Sequence, residues 1–510
     1  MHRFIPLLLL VCFTAALFPS CKTKKPSASE QAEKAYKAKY EPQKYDLRAV
    51  WMPTVFRSEY AQMSSEQMQK HLAQKVRMFH LAGFNTIIFQ VRPESDAFYK
   101  SNLEPWSRFL TGTQGKAPMP EWDPLDFLVK ECHRYGMELH AWVNPYRAAV
   151  NANAPLDPLH PIVRHPNWFV RYGNLMVYNP GIPECQEFIV QVVSDIVRRY
   201  DIDAIHMDDY FYPYPQPGIP FPDMNTFLQN QRGFERIEDW RRNNVNQLVQ
   251  ALSHAIKAIK PYVRLGISPF GIYRNKQSHP AGSQTRGLQN YDDLYADVLL
   301  WDKKQWVDYV MPQLYWEMKH KTAPYQELAY WWQKNLTHAH YYIGQDVKRT
   351  MNANELHPKL VIANSVAQGN CMWPGEEITA NYKGVKEALQ RLYWRYPALV
   401  PPSLNPQGSY TYPMPVAHLR TEKTHEGIRL VWNTPLTDPS EGNLKYVIYY
   451  YPGFKTKRNL NDPKHILAIT TNTYYTLPAL DGDTKMTYFV TSLNRYNCES
   501  REAPFIKVRH

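Results

Sequence analysis

Between Leu47 and about Pro401 the chain alternates short apolar runs with stretches whose apolar residues recur every three or four positions. The short runs are Arg48–Val55, Asn85–Arg92, Met137–Asn144, Asp203–Asp209, Tyr262–Pro269, Val307–Tyr315, His340–Gly344 and Gly369–Trp373, and each reads as a β-strand. Helical spacing fills the gaps. Leu125, Leu128, Cys132 and Tyr135 share one face of Leu125–Tyr135, and Phe188, Val192, Ile196 and Tyr200 share one face of Cys185–Tyr200. Val245–Ile259 is a third helix. Eight strand–helix units over about 350 residues predict an α/β chain folded as a (β/α)₈ barrel, spanning residues 45–402.

The connections are unequal. Those after the second to fifth strands are long and rich in Pro, Tyr, Trp and Asn, whereas turns after helices are tight, as in Ala82-Gly83-Phe84 and Tyr135-Gly136-Met137. Barrel enzymes carry their sites on the loops that follow strands, so this asymmetry marks the working end.

Past Pro401 and Pro402 the helical period disappears. Short alternating runs follow at Ile428–Trp432, Tyr446–Tyr450, His465–Thr470, Tyr474–Leu477 and Thr487–Asn494, separated by turn residues. They predict an all-β sandwich over residues 412–510. Its Leu430-Val431-Trp432, Tyr446-Val447-Ile448-Tyr449 and Thr487-Tyr488-Phe489-Val490-Thr491 runs resemble a fibronectin type III domain. That likeness implies a spacer or binding module without chemistry of its own.

The amino terminus carries an address. Arg3 precedes an apolar stretch, Leu7 to Leu17, that is too short to span a bilayer, and Ser20-Cys21 closes it. This resembles a bacterial lipoprotein signal over residues 1–20, with Phe18 where Leu is usual and lipidation expected at Cys21. Residues 21–44 are polar and suit a tether. The expected location is the cell envelope, anchored by lipid to a membrane, the outer one being the expected choice.

Net charge is +12, but residues 22–44 alone hold seven Lys and three Glu. The remainder is spread thinly, and no basic stripe interleaved with aromatics argues for nucleic acid. Cys132, Cys185, Cys371 and Cys498 lie far apart with no zinc spacing, and read as buried free thiols. The sequence has no GxSxG elbow, no HExxH and no phosphate-binding GxxxxGK[ST] loop. No metal or cofactor is expected. Aromatic residues reach 14%, with 36 Tyr and 14 Trp, which suits either a ring-rich core or stacking on sugar faces.

Strand alternation selects the candidate chemistry. In Asp203–Asp209, Ile205 and Met207 suit the outer face, so Ala204, His206 and Asp208 point into the barrel, and Asp209 is expected to turn away. His206 reads as a hydrogen-bonded interior histidine that could contact substrate. The same parity sends Gln90 and Arg92 inward, with Glu94 just beyond. It also directs Glu138, His140, Trp142 and Asn144 inward, followed by Tyr146 and Arg147, and then Gln313, Tyr315 and, if the strand continues, Glu317. Glycoside hydrolysis needs two carboxyl groups, one giving a proton and one stabilising or attacking the oxocarbenium-like centre. Asp208 with Glu317 is the expected pair, Glu317 serving as acid, with Glu94 and Asp209 in reserve. Trp142, Trp316 and Tyr212 are candidates for stacking on sugar.

Six ordered segments carry a further likeness. They are Arg48-Ala49-Val50-Trp51; Gly83-Phe84-Asn85-Thr86 with Gln90-Val91-Arg92; Ala141-Trp142-Val143-Asn144-Pro145-Tyr146-Arg147; His206-Met207-Asp208-Asp209-Tyr210-Phe211-Tyr212-Pro213; Gly266-Ile267-Ser268-Pro269-Phe270-Gly271; and Met311-Pro312-Gln313-Leu314-Tyr315-Trp316. Together, over roughly residues 46–375, the chain resembles the glycosyl-hydrolase-like family ten of bacterial envelope lipoproteins. The resemblance implies a glycosidase acting on a polysaccharide, peptidoglycan glycan strands or a related amino-sugar polymer. Strands stripped of peptide expose a lactyl carboxylate on every second sugar, which inward Arg92, with Arg147 and Arg274 on mouth loops, would complement. The competing reading is a barrel that only holds glycan, or an envelope scaffold working through its sandwich.

Overall fold

A computed structural model describes residues 34–403, 412–436, 444–480 and 482–510. The leader, Cys21 and most of the tether lie outside the described residues.

The predicted barrel is present. Its strands are β1 (Leu47–Met52), β2 (Thr86–Arg92), β3 (Glu138–Val143), β4 (Ala204–Met207), β5 (Arg264–Ile267), β6 (Tyr309–Val310), β7 in two pieces (His340–Tyr341 and Ile343–Asp346) and β8 (Gly369–Trp373). Every pairing between them is parallel. The sheet runs β7-β6-β5-β4-β3-β2-β1-β8-β7, because the two pieces of β7 pair with β6 on one side and β8 on the other. Tyr342 lies between the pieces, and the ring closes there.

Strand parity holds wherever a strand persists. Ile87, Phe89, Val91, Leu139, Ala141, Val143, Ile205 and Met207 face outward into the main core with the helices. Leu47, Ala49, Trp51, Ile88, Trp142, Ala204, Tyr309, Met311 and Cys371 fill the interior. Small residues make room for large ones: a Cβ on Gly266 would lie 1.8 Å from the Tyr309 ring. The helices form where their caps allow. Asp123 accepts hydrogen bonds from the Leu125 and Asp126 amides ahead of α1 (Pro124–Arg134), and Pro124 occupies its first turn. In α2 (Pro183–Arg199) the expected face, Phe188, Val192 and Ile196, is buried. Cys132, Cys185, Cys371 and Cys498 are buried free thiols.

The carboxy-terminal region is a sandwich with seven strands among the described residues. One sheet pairs Ala417–Thr424, Gly427–Asn433 and Tyr474–Thr476, and the other pairs Ile466–Thr470, Lys445–Pro452, Lys485–Leu493 and Phe505–Arg509. Two edge strands, the mostly polar Ala417–Thr424 and the five-residue Phe505–Arg509, escaped the sequence reading.

The sandwich is packed against the barrel rather than set apart from it. In Lys445–Pro452, Tyr446 and Ile448 enter the sandwich core, while Val447 and Tyr449 pack with Leu399 of the barrel segment. Both faces of that sheet are therefore covered. The turn after Leu493 then closes the amino-terminal end of the barrel. Arg495 pairs with Asp201 at 2.7 Å and Asp203 at 3.0 Å, and Asn497 Nδ2 donates to Glu138 Oε1 at 2.8 Å.

Candidate active site

The opposite, carboxy-terminal end of the barrel opens into a cleft of about 620 Å³. It is lined by Trp51, Pro53, Val55, Phe56, Arg57, Gln90, Trp142, Arg147, Asp208, Asp209, Tyr210, Tyr214, Ser268, Phe270, Gln313, Tyr315, Trp316, Arg349 and Trp373. The loop asymmetry therefore identified the working end correctly.

Asp208 is where parity put it, inward just past the end of β4 and buried. Asn144 Nδ2 (2.5 Å) and Trp142 Nε1 (3.1 Å) both donate to its Oδ2. Its Oδ1 receives only the long Tyr210 amide bond at 3.3 Å. Burial pushes the Asp208 carboxyl up, against the opposing charge of Arg147 and these hydrogen bonds.

Asp209, the reserve candidate that alternation put on the other parity or in the loop, lines the cleft and is buried. β4 ends at Met207, so the two-residue period stops applying, and the chain swings Asp209 back beside Asp208. The Tyr214 hydroxyl donates to Asp209 Oδ2, and Gln313 Nε2 donates to Oδ1 at 3.1 Å. Burial, and then the neighbouring Asp208 charge, push Asp209 up to about 7. Two neighbouring carboxyl groups with distinct partners thus both hold their protons more tightly than usual, and the charge of Asp208 adds to the effect of burial on Asp209.

Glu317 is not part of this site. β6 is only Tyr309–Val310, Pro312 follows, and the alternation carried forward to residue 317 has no strand to act on. Glu317 lies outside the cleft lining, and its charge is felt by Lys359. Gln313, Tyr315 and Trp316 do reach the cleft.

Several other inward residues are occupied structurally. Arg92 is fully buried and forks onto Glu104 (Nε to Oε2, 2.8 Å). It also donates from Nη1 to the Asn144 carbonyl at 2.6 Å. It is thus a clamp beneath the β3 loop rather than a substrate contact. Glu94 pairs with Arg108 at 2.6 Å and accepts from the Val150 amide. Tyr146 is enclosed in the main core, and Tyr212 packs on Phe221 and Tyr295. His206 is sealed beneath the cleft, bonded to Tyr309 and Ser268 at 2.9 and 3.0 Å. Asn144 is also sealed, but it bridges the site. It holds Asp208 and accepts from Gln90 Nε2 and Arg147 Nη2, each at 2.6 Å. Arg274, expected at the mouth, is engaged by Asp292 at 2.8 Å.

Parity could not find the remaining lining residues, because they sit on irregular loops. Tyr210 and Tyr214 stack at 5.3 Å, and Phe270 meets Trp316 edge-on at 5.4 Å, giving one aromatic wall. Arg57 comes from the turn after β1 and Arg349 from the short helix Val347–Asn352 after β7, both remote in sequence from Arg147. Trp51 and Trp373 were visible only as strand-end residues, and nothing in the spacing assigned them to the cleft.

A (β/α)₈ barrel with two neighbouring carboxyl groups in an aromatic-walled cleft beyond its strand ends has the parts that a glycoside hydrolase uses. The chain belongs to the glycosyl hydrolase-like 10 family, whose signature matches residues 46–362. It is 37% identical over 483 residues to the glycosyl hydrolase YngK of Bacillus subtilis (strain 168), covering 89% of this chain and 92% of that protein. It is 34% identical over 386 residues to the glycosyl hydrolase DigH of Escherichia coli (strain K12), covering 71% of this chain and 86% of the relative. The protein is a glycosidase, and its substrate is a glycan.

Proposed function

We propose that this glycosidase is an exported lipoprotein, anchored through Cys21, that cleaves peptidoglycan glycan strands and prefers those stripped of peptide. The supporting observation is that the Asp208 and Asp209 carboxyls and three guanidinium groups, Arg147, Arg349 and Arg57 (the last also paired with Glu376 at 3.2 Å), line one aromatic cleft. A lactyl group freed of its peptide is a carboxylate, and its charge suits those arginines. A lactyl group still bearing peptide is a neutral, bulky amide. Arg147 and the newly placed Arg57 and Arg349 thus take the role expected of Arg92 and Arg274.

Asp209 is the proton donor to the leaving oxygen, since its raised affinity for a proton keeps it loaded near neutrality. Asp208, fixed by Asn144 and Trp142, carries negative charge beside the reacting carbon. Tyr210, Tyr214 and Trp316 provide faces for sugar rings.

The test is incubation of the full chain, purified in detergent, with peptide-free strands and with intact sacculi, followed by mass analysis of the fragments. Faster cleavage of the stripped strands is expected. Equal cleavage of both, or none of either, overturns the reading. Anchoring is checked separately: Cys21→Ala should move the protein from the membrane fraction to the soluble one.

A further inference from the structure

At the floor of the cleft, three indole rings enclose a recess. Trp373 stands 6.4 Å from Trp51 and 6.2 Å from Trp142, at interplanar angles of 74° and 73°. His206 lies below, 6.0 Å from Trp51 and 6.4 Å from Trp142. Rings set edge to face at these separations touch one another, so together they wall an apolar corner of the cleft rather than form a stack. Asp208 sits at its rim. Both of its side-chain donors, Trp142 and Asn144, use Oδ2, which leaves Oδ1 with a single long backbone bond and room for another donor. Tyr315 also lines the cleft, and burial holds its phenol far above the ordinary range, so it remains a donor.

Resting on the glycan-strand reading above, we propose that this recess takes the 2-acetamido group of the sugar at the cleavage point, and that the acetamide itself is the nucleophile. The methyl fits among Trp51, Trp142 and Trp373. The amide N–H donates to Asp208 Oδ1, and the carbonyl oxygen accepts from Tyr315 while facing C1. That oxygen forms a bond to C1 as the bond from C1 to the leaving oxygen breaks. Asp209 transfers its proton to that leaving oxygen, and Asp208 stabilises the resulting oxazolinium cation. Water then gives a proton to the Asp209 carboxylate and adds to C1. The bond from C1 to the acetamide oxygen breaks, and the acetamide is restored. Asp208 has Oδ2 held by Trp142 and Asn144, which suits a carboxylate that orients and stabilises the acetamide rather than one that attacks C1.

The test compares peptide-free glycan strands with intact acetamides, the same strands after chemical de-N-acetylation, and de-N-acetylated strands that have been re-acetylated. Loss of an intramolecular nucleophile is expected to lower kcat at least about 10³-fold on the de-N-acetylated strands, with recovery on re-acetylation. The first product, followed by NMR, should keep the anomeric configuration of the substrate. Cleavage of de-N-acetylated strands within about threefold of the native rate overturns the inference while leaving the glycan-strand reading intact. An inverted product, or a glycosyl ester trapped on Asp208, does the same. Failure to cleave even the acetylated strands overturns the substrate reading, and this inference with it.

Discussion

The two ends of the barrel hold similar buried acids in opposite electrostatic settings. At the closed end, Glu138 is buried against Arg264 and lies near Lys445, and Arg264 holds its carboxyl well below the ordinary range despite burial. Asp203 is likewise held low by Arg495 and His133, against the effect of burial. At the open end, Asp208 and Asp209 are equally enclosed but receive mainly neutral donors, and both are pushed up. Burial acts alike on all four, and the deciding difference is a guanidinium within ion-pair distance. Paired acids at the closed end secure the join to the sandwich. Acids without such a pair retain a proton to give away.

The largest expected effect is at the open end. Asp208→Asn should lower turnover on glycan strands by about 10⁴-fold with the melting temperature preserved, and a loss below about tenfold would break the assignment of function to this end. The same substitution removes the charge that raises Asp209, so Asp209, followed by carboxyl-carbon NMR, should titrate at lower pH than in the wild type. Next, Asp209→Asn should reduce kcat by about 10³-fold. In the wild type, kcat should fall as pH rises through about 7, because the donor must be protonated. The stability sign follows from the same shift. The folded state holds this proton more tightly than the unfolded chain, so stability contributed by protonated Asp209 is present below the unfolded carboxyl pKa and is lost as pH rises through about 7. Asp209→Asn should therefore melt higher than wild type at alkaline pH and match it in acid.

At the closed end the expected loss is in stability rather than rate. Arg495→Ala strands Asp203 and should cost about 3 kcal/mol in urea unfolding, with kcat changed by less than about twofold. A larger drop in kcat would show that the ends are coupled. A route exists, since Glu138 bonds His140 at 3.1 Å, and His140 and His206 each bond the Tyr309 hydroxyl at 2.9 Å. The smallest effect is expected from Arg349→Ala, which should raise KM for stripped strands by about fivefold at low salt and less at high salt.

Strand alternation was legible because each face of a barrel strand has a fixed environment. Gln90, Trp142 and Asp208 were found that way. Alternation says nothing about what an inward group meets. Arg92 and Gln90 share one strand and one face, yet Arg92 is consumed by Glu104, twelve residues away on a loop, while Gln90 reaches the cleft. It also fails once a strand ends. Both Asp209 and Glu317 lie past the end of a strand: alternation left the first on the other parity or in the loop, with only a reserve role, and carried the second into the site. The uninterrupted apolar run Tyr446–Tyr449 did carry a sign that both sheet faces are covered, but not of what covers them.

The sequence by itself determined the barrel, the sandwich, the working end and Asp208, since all four follow from local periodicity and from which connections are long. Only the tertiary structure decided which carboxyl lines the cleft with Asp208, which arginines stand at the mouth and how the sandwich covers the barrel's floor. Those depend on residues hundreds of positions apart meeting in space, such as Arg57 with Arg349 and Glu138 with Asn497. No local pattern encodes such meetings, because they are set by how the strands close around one axis.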